Sequence, residues 1–102
     1  MKSIEEICEQ LSSGQIDLTQ HALIHIVERN ISRNEIREVG MNAAVIEDYP
    51  DDKYSPSCLL LGYTKEVRAL HIQVSRMPSE KVRIITIYEP DTSEWSDFSK
   101  RR

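Results

Sequence analysis

The sequence has little from which a disulfide scaffold, an aromatic-rich core or a membrane anchor could be built. Of its 102 residues only 6% are aromatic, two are cysteine and three are glycine. Cys8 and Cys58 stand alone, with no CxxC pair and no Cys/His pair at zinc-ligand spacing. Both read as small core residues of a reducing cytoplasm. No apolar run approaches the roughly 20 residues that a membrane helix needs. The opening stretch, MKSIEEICEQL, carries acidic residues within its apolar pattern, which predicts no secretory leader. Positive charge is not in excess either. Thirteen Lys and Arg face 17 Asp and Glu, a net charge of −4, which disfavours a protein that coats nucleic acid.

What is present suffices for one compact core. Hydrophobic residues make up 39% and charged residues 29%, a balance that folds, and the length predicts a single domain over residues 1–102. Charge is unevenly spread. A basic stretch (Lys65, Arg68, Arg76, Lys81, Arg83) lies between acidic flanks. It reads as solvated strand and turn residues, or as a local site for a phosphate-bearing ligand.

The periodicity predicts helices over residues 1–41. Ser3 to Leu11 sets Ile4, Ile7, Cys8 and Leu11 on one side, and Ser12-Ser13-Gly14 stops it. Thr19 caps a second helix to about Arg29. Its apolar residues Ala22, Leu23, Ile24, Ile26 and Val27 fill one broad arc, expected to face the core. His21, His25 and Arg29 form a polar ridge at i, i+4, i+8. Ser32-Arg33-Asn34-Glu35 is a capping box that starts a third helix, weakening or ending at Gly40. The period then changes. Ala44–Tyr49, Ser57–Thr64, Arg68–Ser75 and Val82–Tyr88 read as strands joined by short connections, hence as antiparallel neighbours over residues 44–88. Residues 89–102 read as a polar tail in which Trp95 and Phe98 cover the core edge. The expected fold is α+β, with N-terminal helices on one face of a four-stranded, mostly antiparallel sheet.

Several stretches, taken in order, resemble a bacterial family, domain of unknown function 4258. They are His21-Ala22, Arg29-Asn30-Ile31-Ser32, Ile46 to Asp52, Pro56 to Gly62, Leu70-His71-Ile72, Ile84 to Asp91, and Trp95. Where this chain has His25 the family usually shows Arg. The family is grouped by fold with the RelE/ParE/MqsR-like toxins of toxin–antitoxin modules, and its members are often accompanied by a small zinc-finger antitoxin-like protein. The resemblance thus implies a small RelE-like ribonuclease or translation-blocking toxin, with RNA or the ribosome as target and a small antitoxin-like protein as partner.

Metal-independent RNA cleavage needs a base for the 2′-OH, a cation for the phosphorane and an acid for the leaving oxygen. Histidine titrates in the right range, and arginine donates a fork of hydrogen bonds to phosphate. The candidates are His21 and His71 for proton transfer, Tyr88 as an assisting acid, and Arg29, Arg33 and Arg83 as phosphate contacts. Each has an ordinary structural explanation too: His71 as a hydrogen-bonded strand residue, Tyr88 by strand packing, Arg29 as a cation at a helix C-terminus. Arg33 is the exception, because the first turn of a helix disfavours a cation. His21 and His25 have the i, i+4 spacing of a metal pair but lack the intervening Glu and a third ligand, so no metal or other cofactor is predicted. The alternative function is a non-catalytic protein-interaction module of the same fold.

Overall fold

The computed structural model describes every residue except Tyr54. Helix α1 (Ile4–Ser12) is followed by strand β1 (Ile16–Leu18), helices α2 (Gln20–Glu28) and α3 (Arg33–Gly40), and strands β2 (Ala44–Tyr49), β3 (Ser57–Tyr63), β4 (Ala69–Ser75) and β5 (Val82–Tyr88). Two short strands, β6 (Trp95–Ser96) and β7 (Lys100–Arg101), complete the chain. The helix starts follow from their caps. The Ser3, Thr19 and Ser32 hydroxyls accept from the N–H three residues on, and Glu35 returns the bond to Ser32. Each cap satisfies a donor that a helix start leaves orphaned.

The main sheet has five strands in the order β1-β5-β4-β3-β2, one more than the sequence pattern suggested. The four expected strands form the antiparallel meander. The fifth, β1, pairs parallel with β5 through Ile16↔Val82 and Leu18↔Ile84. Three residues are too few to display an alternation, so only the tertiary pairing reveals this strand. The helices supply Ile7, Leu11, Ala22, Ile36 and Val39, and the connection between α2 and α3 supplies Ile31, to one buried cluster with Cys58, Leu60, Leu70, Ile72, Val74, Ile84 and Ile87 of the sheet. One sheet face is therefore the core, and the alternate residues look the other way.

Two features differ from expectation. The pairing of β4 with β5 slips between Gln73 and Val74, placing Thr86 opposite Gln73 and Ile84 opposite Val74. This bulge resets the alternation, so Ile84 and Ile87 both point into the core. A strict two-residue period would have put Ile84 with Thr86 and Tyr88, and Ile87 with Arg83. The other feature is α2. Ala22 is its one fully buried residue and Ile26 packs against the core, while Leu23, Ile24 and Val27 are 50%, 47% and 74% exposed. The apolar arc is wider than the strip that β1 and β5 cover, so half of it faces out.

Candidate functional site

The six candidate residues fall on different parts of the fold. His71 is in the middle of β4, between the core residues Leu70 and Ile72, and points to the face away from the helices. Tyr88 is its cross-strand partner on β5, with the phenol oxygen 3.2 Å from His71 Nδ1. His71 Nε2–H donates to the Phe98 carbonyl at 2.5 Å. Nε2 therefore carries the proton, and Nδ1 accepts from the Tyr88 hydroxyl. Trp95 meets the imidazole edge-on, with ring centroids 4.4 Å apart. His71 is completely buried and Trp95 nearly so. Burial pulls the His71 pKa below its ordinary value, against the Phe98 hydrogen bond and the nearby Glu47 charge; burial also raises that of Tyr88.

The cover over His71 comes from residues expected to be a polar tail. They fold into a hairpin, pairing Trp95 with Arg101 and Ser96 with Lys100. Arg101 lies 4.6 Å above the Trp95 ring and clasps the Glu47 carboxylate on β2 with two hydrogen bonds, at 2.9 and 3.2 Å. Glu47 also accepts from the Tyr49 hydroxyl. The Arg101 bonds hold the Glu47 carboxyl below the usual range. Burial, with Glu47 beside it, pushes the Tyr49 phenol up to about 12.

Arg83 is on the same open face but at the far end of β5, ion-paired with Asp17 at 3.0 Å. Five strand positions separate it from Tyr88, roughly 16 Å of extended chain, and Asp17 engages its guanidinium. His21 and Arg29 belong to the helix layer, on the opposite side of the sheet from His71. His21 is exposed and contacts His25, ring centroids 4.4 Å apart. Arg33 has a structural task that accounts for its unfavourable position. It donates to the Gly14 carbonyl while Arg37 donates to Ser12 O. Helix α1 has no basic residue in its last turn, and these arginines of α3 serve its carbonyl end instead.

The structure thus brings His71 and Tyr88 together and separates both from His21, Arg29 and Arg33. Nor does it gather the basic stretch into a phosphate site. Arg68 bonds Glu35, Glu89 and the carbonyls of Arg29 and Asn30. Arg76 bonds the Lys2 carbonyl and pairs with Asp48. Other polar residues line the rest of the open face, among them Asp52, which the sequence places in a turn. Asp52 accepts from Ser57 and Gln73 at 2.8 and 3.3 Å. Two clefts share it. One of about 520 Å³ reaches Tyr49, and one of about 480 Å³ runs past Ser55 and Ser75 to Arg83. The alternation of polar residues Gln73 and Ser75 along β4 was the available signal. Among the described residues no three His, Cys, Asp or Glu side chains gather as a metal site requires, and no helix is long and apolar enough to cross a membrane.

No curated protein and no solved structure matches the chain. The model of one family does, over residues 18–89, which run from the end of β1 to just past β5. The chain belongs to the family of the domain of unknown function DUF4258.

Proposed function

We propose that this protein is a protein-interaction module that docks a small partner protein through the outward half of α2. One observation carries this reading: Leu23, Ile24 and Val27, within about 100° of arc on one helix, are each 47% or more exposed. Three large apolar side chains grouped on one side of a helix form a docking stripe, of the kind an amphipathic partner covers. The acidic net charge suits a protein partner better than RNA. The toxin-like resemblance suggests the kind of partner, a small antitoxin-like protein, met in the cytoplasm.

The test is a photo-crosslinking residue placed at Val27 in bacteria, with Glu28 on the polar side of the same helix as control. A discrete adduct from position 27, absent from position 28 and lost with Leu23→Glu, is expected. A monomer that gives no adduct from position 27 overturns the reading.

A second reading, a RelE/MqsR-type toxin that cleaves RNA without a metal, is favoured by one observation. His71 and Tyr88 are hydrogen-bonded on a sheet face that also carries Arg83. In this reading His71 Nδ1 takes a proton and Tyr88 delivers one, once the hairpin has moved aside. Induced expression of the wild type beside His71→Ala and Arg83→Ala tests it, with growth and RNA integrity followed. Arrest with RNA cleavage, relieved by His71→Ala, supports the toxin reading. Normal growth with soluble protein refutes it.

A further inference from the structure

The C-terminal hairpin is attached to the sheet in an unusual way. Its backbone hydrogen bonds run within residues 91–102: Glu94 and Trp95 N–H to Asp91 O, Ser99 N–H to Ser96 O, and Arg102 N–H to Glu94 O. It forms a separate two-stranded sheet, and two residues of its turn, Asp97 and Phe98, have φ of 51° and 62°, a region L residues seldom occupy. Among the described residues, side-chain recognition attaches it to the sheet. Trp95 fits against the His71 ring, the Phe98 carbonyl receives the His71 N–H, and the Arg101 guanidinium is clasped by Glu47.

The receiving groups are held by partners of their own. Tyr88 on the neighbouring strand hydrogen-bonds His71 Nδ1, and Tyr49, on the same strand as Glu47, donates to the Glu47 carboxylate. Both bonds lie within the sheet rather than to the hairpin, and such preorganisation is what a binding groove requires. We propose that the open face around Glu47, His71 and Tyr88 is a groove for a partner's peptide segment bearing an aromatic and an arginine side chain, and that residues 91–102 are its built-in, displaceable occupant. The aromatic ring packs on His71, the arginine pairs with Glu47, and a backbone carbonyl takes the His71 N–H. A partner segment binds when the hairpin lifts, so the hairpin sets its apparent affinity. A groove open about 1% of the time binds about 100-fold more weakly than an open one. This surface is on the far side of the sheet from α2 and does not depend on the role proposed for that helix.

Trp95 is the single tryptophan of the chain, which makes the test direct. A full-length Trp95→Ala/Arg101→Ala variant, both anchors removed, is titrated with a synthetic peptide of residues 91–102, whose tryptophan is then the only one in solution. The expected result is a saturable fluorescence change, abolished by adding Glu47→Arg, with binding to the wild-type chain at least about tenfold weaker. Hydrogen exchange on the wild type supplies a second readout. The Glu94, Trp95, Ser99 and Arg102 amides are expected to exchange on the order of 100-fold faster than those of β3 and β4. The absence of saturable peptide binding up to millimolar concentration overturns the proposal. So does exchange of the hairpin amides in step with the sheet, a result that decides the matter even where the double variant fails to fold.

Discussion

Gly40→Ala is the substitution whose effect the structure sets most sharply. Gly40 is the last residue of α3, where that helix crosses α1. A Cβ there would stand 2.6 Å from Leu11 Cβ and 2.7 Å from the Ser12 backbone nitrogen, where ordinary contact begins at 3.4 Å. The helices would have to part by roughly 0.8 Å, the difference between those contacts, because a backbone atom cannot swing aside. Parting them opens the core between Ile7 and Leu11 on one helix and Ile36 and Val39 on the other, all at most 2% exposed. Overpacking of this kind costs about 1–3 kcal/mol. Alanine's advantage over glycine within a helix, about 1 kcal/mol, offsets it only in part at a terminal residue. The net loss is about 1–2 kcal/mol, or roughly 5–15 °C in Tm for a domain of this size. Thermal unfolding followed by far-UV circular dichroism measures it. Gly14 is the control, because its restriction is of the other kind. A Cβ there has space, with 3.7 Å to Arg37 Cδ, but φ is +78°. Gly14→Asn should thus retain most of the stability that Gly14→Ala loses, whereas Gly40→Asn should be worse than Gly40→Ala. Unchanged or raised Tm for Gly40→Ala would refute the close-approach argument.

Other outcomes follow from the same geometry. His71→Ala removes a fully buried ring and strands the Phe98 carbonyl. It should lower stability by about 2–4 kcal/mol and red-shift the Trp95 emission; an unchanged emission maximum would count against His71 as the hairpin's anchor. Burial depresses the His71 pKa in the folded chain, so its contribution is complete above the unfolded value of about 6.5 and is lost as pH falls from there toward the folded value. The Tm difference between wild type and His71→Ala should therefore shrink between pH 7.5 and 5.5, and a constant difference would contradict this. Burial pushes the Cys58 thiol up to about 11 and raises that of Cys8, so a thiol reagent at pH 8 should modify neither rapidly until urea unfolds the chain; rapid labelling of native Cys58 would be inconsistent with its burial. Replacing Leu23 and Val27 together by Glu and Lys should leave the isolated chain's Tm within about 4 °C of wild type, as exposed sites usually do, and a larger fall would mean that α2 packs more tightly than its exposure indicates.

What the sequence determined by itself is local. The three helix starts rest on Ser3, Thr19 and Ser32, each acting on an N–H three residues away, and the four meander strands on runs of apolar residues with turn chemistry between them. Signals of that reach survive without knowledge of the rest of the chain. Everything read differently in the structure depends on what stands opposite. The three residues of β1 become a strand because β5 offers its edge. The apolar arc of α2 is split because β1 and β5 cover only half of it. The first-turn cation Arg33 is accounted for by the end of another helix, which no spacing along α3 could disclose. The candidate site divides in the same way. His71 and Tyr88 are brought together by the register of β4 with β5, whereas His21 and Arg29 are separated from them by the thickness of the sheet. Residue type could nominate all of these side chains for one chemistry. Only the packing of layers, which places each residue on one face or the other, decides which of them can meet.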